Sequence, residues 1–166
     1  MTSVIYTPSE FPDLASKISI IMNLLAPVST IMTKNPITIE PEDTLQTAQE
    51  IFEKYHIHHI PVVYEGELVG MLSKSDFSFF KRGFNDDAFD NILVDVKLNN
   101  YKVKSIMIKG LGKLDVDDRI NVALEVFKKN LLHALPVMEN GRIVGIITTH
   151  DIIKNLAADN SAVNEY

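Results

Sequence analysis

The chain contains neither cysteine nor tryptophan among its 166 residues. Without cysteine, disulfide frameworks and thiolate zinc sites are excluded, and a reducing intracellular environment fits the composition. No apolar run reaches the ~18–20 residues that a membrane-spanning helix needs. The first ten residues show no basic segment followed by an apolar core, so no secretion signal is expected. These absences predict a soluble, cytoplasmic protein with no membrane partner.

Basic residues are also scarce, because 16 lysines and arginines stand against 22 aspartates and glutamates, which gives a net charge of −6. No basic tract is present, which argues against nucleic acid as a partner. Hydrophobic residues make up 46% of the chain and charged residues 23%. This balance is typical of a globular protein, and a chain of this length can bury a core without covalent cross-links.

The sequence repeats itself at an offset of 75 positions. Between residues 31–76 and 106–151, 15 of 46 aligned positions are identical without a gap, against about 3 expected from average residue usage. Many of the differences keep an apolar residue, so both copies should have the same core faces. The offset is too long for a solenoid repeat. Duplication of one domain therefore predicts two similar units packed about a pseudo-twofold axis.

Each copy shows the order β-α-β-β-α, which predicts a mixed α/β (α+β) fold. In the first copy the pattern predicts strands over 37–39, 60–64 and 68–72, a helix that begins near Pro41 to Asp43, a turn at Glu65-Gly66 and a second helix from Ser73. In the second copy it predicts strands over 113–116, 135–138 and 143–147, and helices over 119–129 and from about 150 to 156.

The predicted organisation has five parts: an N-terminal helical extension over 1–29, a first domain over 30–82, an acidic linker over 83–102, a second domain over 103–158 and a C-terminal tail over 159–166. The extension has apolar residues at helical spacing, typical of an amphipathic helix. For the linker, a short helix and a mobile loop both remain possible.

Two motifs occur once in each copy, His-x-φ-Pro-Val and Gly-φ-φ-[Ser/Thr]-x-x-Asp, where φ is an apolar residue. They read His58-His59-Ile60-Pro61-Val62 with Gly70-Met71-Leu72-Ser73-Lys74-Ser75-Asp76, and His133-Ala134-Leu135-Pro136-Val137 with Gly145-Ile146-Ile147-Thr148-Thr149-His150-Asp151. With the opening Ile-Met of each copy, the pattern resembles a tandem pair of CBS (cystathionine beta-synthase) domains, a Bateman module of stand-alone bacterial type. The resemblance covers roughly residues 31–156, and its specificity lies in the whole pattern occurring twice.

The resemblance implies two clefts between the copies that bind AMP, ADP, ATP or S-adenosylmethionine, with no further cofactor. It also implies a homodimer that senses energy state or ligand level and regulates another, unknown protein. The alternative is a dimerisation or scaffold protein whose clefts stay empty. The sequence identifies neither the ligand nor the regulated target.

The Ser/Thr-x-x-Asp motif has two interpretations. An ionised aspartate accepts hydrogen bonds and could hold two vicinal ribose hydroxyls, while Ser73 or Thr148 at a helix start could contact a phosphate. The same residue types are also ordinary helix caps. The resemblance favours binding by Asp76 or Asp151 in at least one cleft.

The resemblance also assigns roles to the other candidate residues. His58 and His133 would donate to an α-phosphate, although a histidine satisfied by the backbone is the alternative, and His150 is a further basic candidate. Residues of the hairpin strands would supply backbone groups and apolar walls for adenine: Ile60, Pro61 and Val62 in the first copy, and Leu135, Pro136 and Val137 in the second. On the first strand of each copy, Thr38 and Lys113 would contact the base or the ribose.

Other kinds of site find little support. His56, His58 and His59 suggest zinc, but no carboxylate lies at ligand spacing, and no metal is expected. The phosphate-binding glycine loops of nucleotide-dependent enzymes are absent. Ser78 to Lys81 spells S-x-x-K without its companion motifs. The sequence therefore predicts a protein that is not an enzyme.

Overall fold

The computed structural model describes residues 23–83, 91–130 and 132–158. The first copy contains, in chain order, β1 (Thr33–Lys34), α1 (Leu45–Tyr55), β2 (His59–Tyr64), β3 (Glu67–Ser73) and α2 (Lys74–Arg82). Helix α3 (Asn91–Asn100) follows. The second copy contains β4 (Leu114–Asp115), α4 (Ile120–Asn130), β5 (Ala134–Glu139), β6 (Arg142–Thr148) and α5 (Thr149–Ala158). Two 3-10 turns, Val28–Thr30 and Val103–Ser105, stand at equivalent positions before the copies.

The predicted mixed α/β fold is confirmed, but the first strand of each copy is shorter than expected. The predicted strand over 37–39 is a single parallel bridge between Ile39 and Val62. The amide of Ile39 donates to the carbonyl of Pro61 at 3.1 Å, and the amide of Val63 donates to the carbonyl of Ile39 at 2.9 Å. Its counterpart is the two-residue strand β4, parallel to β5.

Two antiparallel hairpins form the centre of the copies. β2 pairs with β3, and β5 pairs with β6, each with a register shift at the equivalent point. Both hairpins turn through two residues with positive φ, 50° and 84° at Glu65-Gly66 and 49° and 80° at Asn140-Gly141. Such turns match the right-handed twist of the paired strands, which explains why a glycine recurs there in both copies.

The first helix of each copy packs its apolar stripe against its hairpin. In α1 the buried residues are Leu45, Ala48 and Phe52; in α4 they are Ile120, Ala123 and Phe127. These positions correspond at the repeat offset. Thr44 begins α1, and its Oγ1 accepts a hydrogen bond from the amide of Thr47 at 3.1 Å.

The segment that leads into each copy packs against the core of the other copy, so the two leading segments are exchanged. Val28 is fully buried in the core of the second copy, and its amide donates to the carbonyl of Asp118 at 2.7 Å. Val103 is fully buried in the core of the first copy, and its amide donates to the carbonyl of Asp43 at 2.9 Å. Each core is therefore completed by residues that precede the other copy in sequence.

The exchange extends the sheets. β1 pairs with β6 and forms the edge of a four-stranded sheet in the order β1-β6-β5-β4. At the equivalent place Ile108 forms an antiparallel bridge with Met71 of β3, and the two exchange hydrogen bonds of 3.0 and 2.9 Å. The boundaries predicted at 30–82 and 103–158 stay a prediction, because the copies share these edges.

Two glycines at equivalent positions each lie against the repeated methionine of the exchanged segment, Gly70 against Met107 and Gly145 against Met32. A Cβ atom added at Gly70 would lie 2.9 Å from the Sδ of Met107 and 2.9 Å from the carbonyl oxygen of Ile108. A Cβ atom added at Gly145 would overlap the side chain of Met32. A glycine at these positions allows the exchanged segment to approach the strand closely, which explains this part of the repeat.

A small third cluster joins the copies at the centre. Met71 of β3, Ala134 of β5 and Ile146 of β6 are buried there, with Leu111 partly buried against them. Met71 and Ile146 correspond at the repeat offset, so the cluster lies where equivalent strands of the two copies face each other. This arrangement agrees with the expected pseudo-twofold packing.

The linker contains a helix. Within the predicted linker, α3 buries Val94 and Leu98 against the first core, whereas residues 84–90 lie outside the described residues. The amphipathic helix expected in 1–29 falls mostly on residues 1–22, which also lie outside them, as do 159–166 of the tail. Within the described ranges, no helix is long and apolar enough to cross a membrane.

A candidate ligand cleft beside Asp76

The junction between β3 and α2 places a carboxylate at the start of a helix. Ser73 is the N-cap of α2, and its Oγ accepts a hydrogen bond from the amide of Asp76 at 3.0 Å. The same hydroxyl donates to Oδ2 of Asp76 at 2.5 Å. The Ser73 hydroxyl therefore caps the amide of Asp76 and is itself held by the Asp76 carboxylate. The capping interpretation of the motif is therefore realised, and the half-buried carboxylate keeps lone pairs for further donors.

The junction between β6 and α5 repeats this arrangement with additional donors. The hydroxyl of Thr148 accepts from the amide of Asp151 at 3.1 Å, and Oδ2 of Asp151 accepts from the amide and the hydroxyl of Thr148 at 2.7 and 2.6 Å. Thr33, on the exchanged strand β1, donates from Oγ1 to Oδ1 of Asp151 at 3.3 Å. Three donors therefore hold Asp151 in place.

A cavity of about 420 Å³ opens beside Asp76. Such a volume lies within the range of small-molecule pockets. The lining residues come from α2, its C-terminal cap and the segment exchanged from the second copy: Asp76, Phe79, Phe80, Gly83, Ile106 and Ile108. Among the residues that the structure describes, the cavity combines apolar walls with one carboxylate.

Only Asp76 of the fifteen candidate residues lines this cavity. Sequence reasoning missed Phe79 and Phe80, one turn beyond Asp76 on α2, and the exchanged residues Ile106 and Ile108. A helical periodicity count from Asp76 would have found Phe79 and Phe80. Nothing local to Ile106 and Ile108 indicates their position, because only the exchange brings them to the first copy.

The two motif histidines contribute their backbone at the helix starts. The carbonyl of His58 accepts from the amide of Lys74 at 2.8 Å, and the carbonyl of His133 accepts from the amide of Thr149 at 3.1 Å. Both side chains are exposed. A phosphate contact by either imidazole stays a prediction.

His59 is the histidine that the structure half-buries. Burial lowers its pKa below the ordinary value of 6.5, repulsion from His58 and His133 lowers it further, and attraction to Asp76 opposes the shift. His133 belongs to the second copy, so histidines of both copies lie in one region. These surroundings therefore favour the neutral form of the His59 imidazole.

For the remaining candidate residues, the predicted contacts with adenine, ribose or phosphate stay predictions. The strand residues Ile60, Pro61, Val62, Leu135, Pro136 and Val137 are buried, whereas Thr38, Lys113 and His150 are exposed. Thr38 precedes the residue that bridges to Val62, and Lys113 precedes the residue that pairs with Val137. These two side chains thus occupy equivalent places beside their hairpins.

The histidine cluster of the first copy does not meet the requirement for a metal site. His56 is the left-handed residue that ends α1, with a φ of 52°, whereas His59 lies in β2. Among the residues that the structure describes, no three His, Asp or Glu side chains are grouped so that they could hold a metal ion.

Comparison with known proteins identifies the family. The model of the CBS domain matches residues 28–81 and again residues 103–158. The chain belongs to the CBS domain family. The solved CBS domain pair of protein MJ0100, in complex with 5′-methylthioadenosine and S-adenosylmethionine, is 25% identical with a TM-score of 0.65, over 81% of this chain and 98% of that one. The CBS domain of a membrane protein from Sphaerobacter thermophilus shares the fold, with 22% identity and a TM-score of 0.70 over 86% of this chain and 96% of that one.

Relatives by sequence are longer than this CBS pair. Inosine-5′-monophosphate dehydrogenase of Thermoplasma acidophilum is 29% identical over 125 residues, which are 75% of this chain and 22% of the enzyme. Uncharacterized protein MJ1232 of Methanocaldococcus jannaschii is 32% identical over 76% of this chain and 38% of the relative. The similarity to the dehydrogenase covers only the CBS region. A CBS pair is a regulatory module, and no catalytic domain is found in the matched segment.

Proposed function

We propose that this CBS pair binds an adenosine-containing small molecule in the cleft beside Asp76 and acts as a ligand sensor, without catalysing a reaction. The observation that carries the proposal is the half-buried carboxylate at the edge of an apolar cavity of about 420 Å³. A ligand with vicinal hydroxyls next to a flat apolar ring matches both features, because the carboxylate accepts from hydroxyls and the walls suit a purine.

The position of the cavity supports a regulatory role. α2 belongs to the first copy, whereas Ile106 and Ile108 lead into the second, so a ligand would contact both. Ligand binding changes the balance of conformations only if its affinity differs between them. A molecule held between α2 and the exchanged segment would favour one relative placement of the copies, which a regulated protein could recognise.

The two ligands in the MJ0100 structure, 5′-methylthioadenosine and S-adenosylmethionine, both contain an adenosyl group, and this supports the ligand class. The candidates remain AMP, ADP, ATP and S-adenosylmethionine. The protein is proposed to act as a cytoplasmic homodimer that regulates another protein.

A different observation favours the second candidate function, dimerisation without a ligand. α5 exposes two large apolar side chains, Ile153 at 62% and Leu156 at 52%. Apolar residues exposed along one helix are typical of a contact surface. In that case Asp76 and Asp151 would act only as helix caps, and the protein would form a dimer of constant mass with or without nucleotide.

Thermal unfolding with each of the four candidate ligands tests the proposal. At about 100 times its dissociation constant a ligand adds about 2.7 kcal/mol of stability, which corresponds to a rise of several degrees in Tm. Asp76→Ala should abolish the rise. Because the chain has no tryptophan, a raised ratio of absorbance at 260 and 280 nm would reveal nucleotide that copurifies and must first be removed.

The matched control is Thr44→Ala, which removes the cap of α1 outside the cavity. Thr44→Ala should lower the Tm of the free protein, as Asp76→Ala does, but keep the full ligand-induced rise. Protein free of nucleotide that shows no rise with any ligand would contradict the sensor function and favour the dimerisation function. A rise that Asp76→Ala leaves intact would instead contradict the assignment of the ligand to the cleft beside Asp76.

A further inference from the structure

The residues that line the cavity beside Asp76 differ in chemistry from those at the equivalent positions of the second copy. We infer that this cavity selects an adenosine-type ligand with an uncharged, apolar 5′ substituent over the corresponding 5′-phosphate, and that Phe79 is the residue that determines this choice. The inference rests on the proposed function and names the ligand class for this cleft.

The part of the lining that the structure describes supplies no positive charge. Four of its six residues are the apolar Phe79, Phe80, Ile106 and Ile108, and the carboxylate of Asp76 is the only charged side chain among the six. Removal of a phosphate from water without a charged partner is costly, and repulsion from Asp76 adds to that cost. A thioether, methyl or hydroxyl group carries no such penalty.

The start of α2 also offers few donors to an anion. The amide of Lys74 donates to the carbonyl of His58 at 2.8 Å, and the amide of Asp76 donates to Oγ of Ser73 at 3.0 Å. The carboxylate of Asp76 already interacts with the positive end of the helix dipole. The start of α2 therefore already interacts with the carboxylate of Asp76, which leaves it less favourable for the phosphate of a ligand.

Two of the three cations on α2, Lys81 and Arg82, contact other residues. The third, Lys74, is exposed at the helix start and is not among the described residues that line the cavity. Nζ of Lys81 donates to Oε1 of Gln49 on α1 at 3.0 Å. The guanidinium carbon of Arg82 lies 5.9 Å from the ring centroid of Phe79, a distance typical of a cation–π contact. Burial and the neighbouring histidines lower the pKa of His59, which disfavours a positive charge on this imidazole as well.

The second copy has different residues at several of the positions that line the cavity in the first copy. At the repeat offset, Lys154 corresponds to Phe79 and Thr33 to Ile108. The hydrogen bond from Thr33 to Asp151 shows that the exchanged residue reaches the aspartate there, as Ile108 reaches the cavity of Asp76. Phe79 is 74% exposed and lines the cavity, so a lysine at this position could reach a bound phosphate.

Isothermal titration of the full chain with 5′-methylthioadenosine and with AMP tests the inference. The binding signal that is lost in Asp76→Asn is assigned to this cleft. For this signal we expect 5′-methylthioadenosine to bind at least ten times more tightly than AMP. Phe79→Lys should lower this ratio at least ten-fold, whereas Phe79→Leu, the matched control without charge, should keep the preference.

The outcomes distinguish the inference from the proposed function. If AMP binds in this cleft as tightly as 5′-methylthioadenosine, the inference is wrong although the sensor function stands. Retention of 5′-methylthioadenosine binding in Asp76→Asn also overturns it. If neither ligand, nor ATP or S-adenosylmethionine, binds the chain, the proposed function itself fails. Circular dichroism verifies that each variant folds. If Phe79→Lys does not fold, the ratio of the two dissociation constants measured on the unmodified chain decides whether the cleft prefers 5′-methylthioadenosine.

Discussion

The two strand-to-helix junctions share a motif but differ in what surrounds the aspartate. Asp76 accepts one hydroxyl, from Ser73, and stands beside apolar side chains. Asp151 accepts from the amide and hydroxyl of Thr148 and from the hydroxyl of Thr33. Part of this difference comes from residues 33 and 108, which lie on the exchanged segments. The identity of each cleft thus depends on the other copy as well as on its own motif.

The largest difference between the copies should appear at the glycines. Gly70→Ala should lower the free energy of unfolding by about 2–3 kcal/mol, in the upper part of the range for overpacking. The added Cβ would meet the carbonyl oxygen of Ile108 at 2.9 Å, and that oxygen accepts the amide of Met71 at 3.0 Å. Urea unfolding provides the measurement.

Gly145→Ala is the matched comparison. The three heavy atoms nearest to its added Cβ all belong to the side chain of Met32. This side chain is flexible and can turn away, so the loss should be about 1 kcal/mol or less. Equal losses at Gly70 and Gly145 would show that the backbone of Ile108 yields as easily as the methionine.

A smaller difference is expected between the aspartates. Asp151→Ala should cost about 1–3 kcal/mol, and Asp76→Ala about 1 kcal/mol, because more donors lose their acceptor at Asp151. Thr33→Val removes only the donor from the exchanged strand and should cost less than about 1 kcal/mol. Denaturant titrations of the ligand-free variants would measure all three, and a larger loss for Asp76→Ala would contradict the comparison.

The smallest difference concerns pH and His59, whose equivalent in the second copy is Ala134. The pKa of His59 is lower in the folded chain than its ordinary value of 6.5, so the unfolded chain binds more protons. Stability should therefore fall as the pH drops through 6.5 toward the folded pKa, with no further loss below it. The groups that face His59 electrostatically are His58, His133 and Asp76.

His59→Ala copies the residue of the second copy and should remove this part of the pH dependence. The measurement is the free energy of unfolding at several pH values between 5 and 8 for both proteins. Parallel curves for the two proteins would show that His59 keeps its ordinary pKa.

The elements of the fold could largely be predicted because they depend on local patterns. The helical spacing of Leu45, Ala48 and Phe52 and the turn at Glu65-Gly66 are visible in the sequence, and the repeat made each assignment twice. Of the short strands, the one predicted over 113–116 is present as β4, whereas the one predicted over 37–39 is reduced to a bridge at Ile39. The exchanged strand β1 was not predicted, because its pairing with β6 joins distant parts of the chain. The helix over Asn91–Asn100 was left open, because its apolar residues Val94 and Leu98 give a weak pattern by themselves.

The candidate site could be predicted only in part, for a different reason. Asp76 was identified because its motif is local and repeated. Ile106 and Ile108 reach the cavity through a connection between distant parts of the chain, and no local spacing encodes such a connection. The same applies to Thr33, whose contact with Asp151 joins residues 118 positions apart.

The exchange of leading segments has a consequence for dissection of the chain. A fragment that contained only one copy in sequence order would lack either Val28 or Val103 in its core and would leave the edge strand of its sheet unpaired. Two such fragments could complete each other only by association, at a concentration-dependent cost. In the continuous chain the connection makes this association intramolecular, so its effective concentration is set by the connecting segment. Cutting at the repeat boundary would thus produce halves of a dimer and not two independent domains.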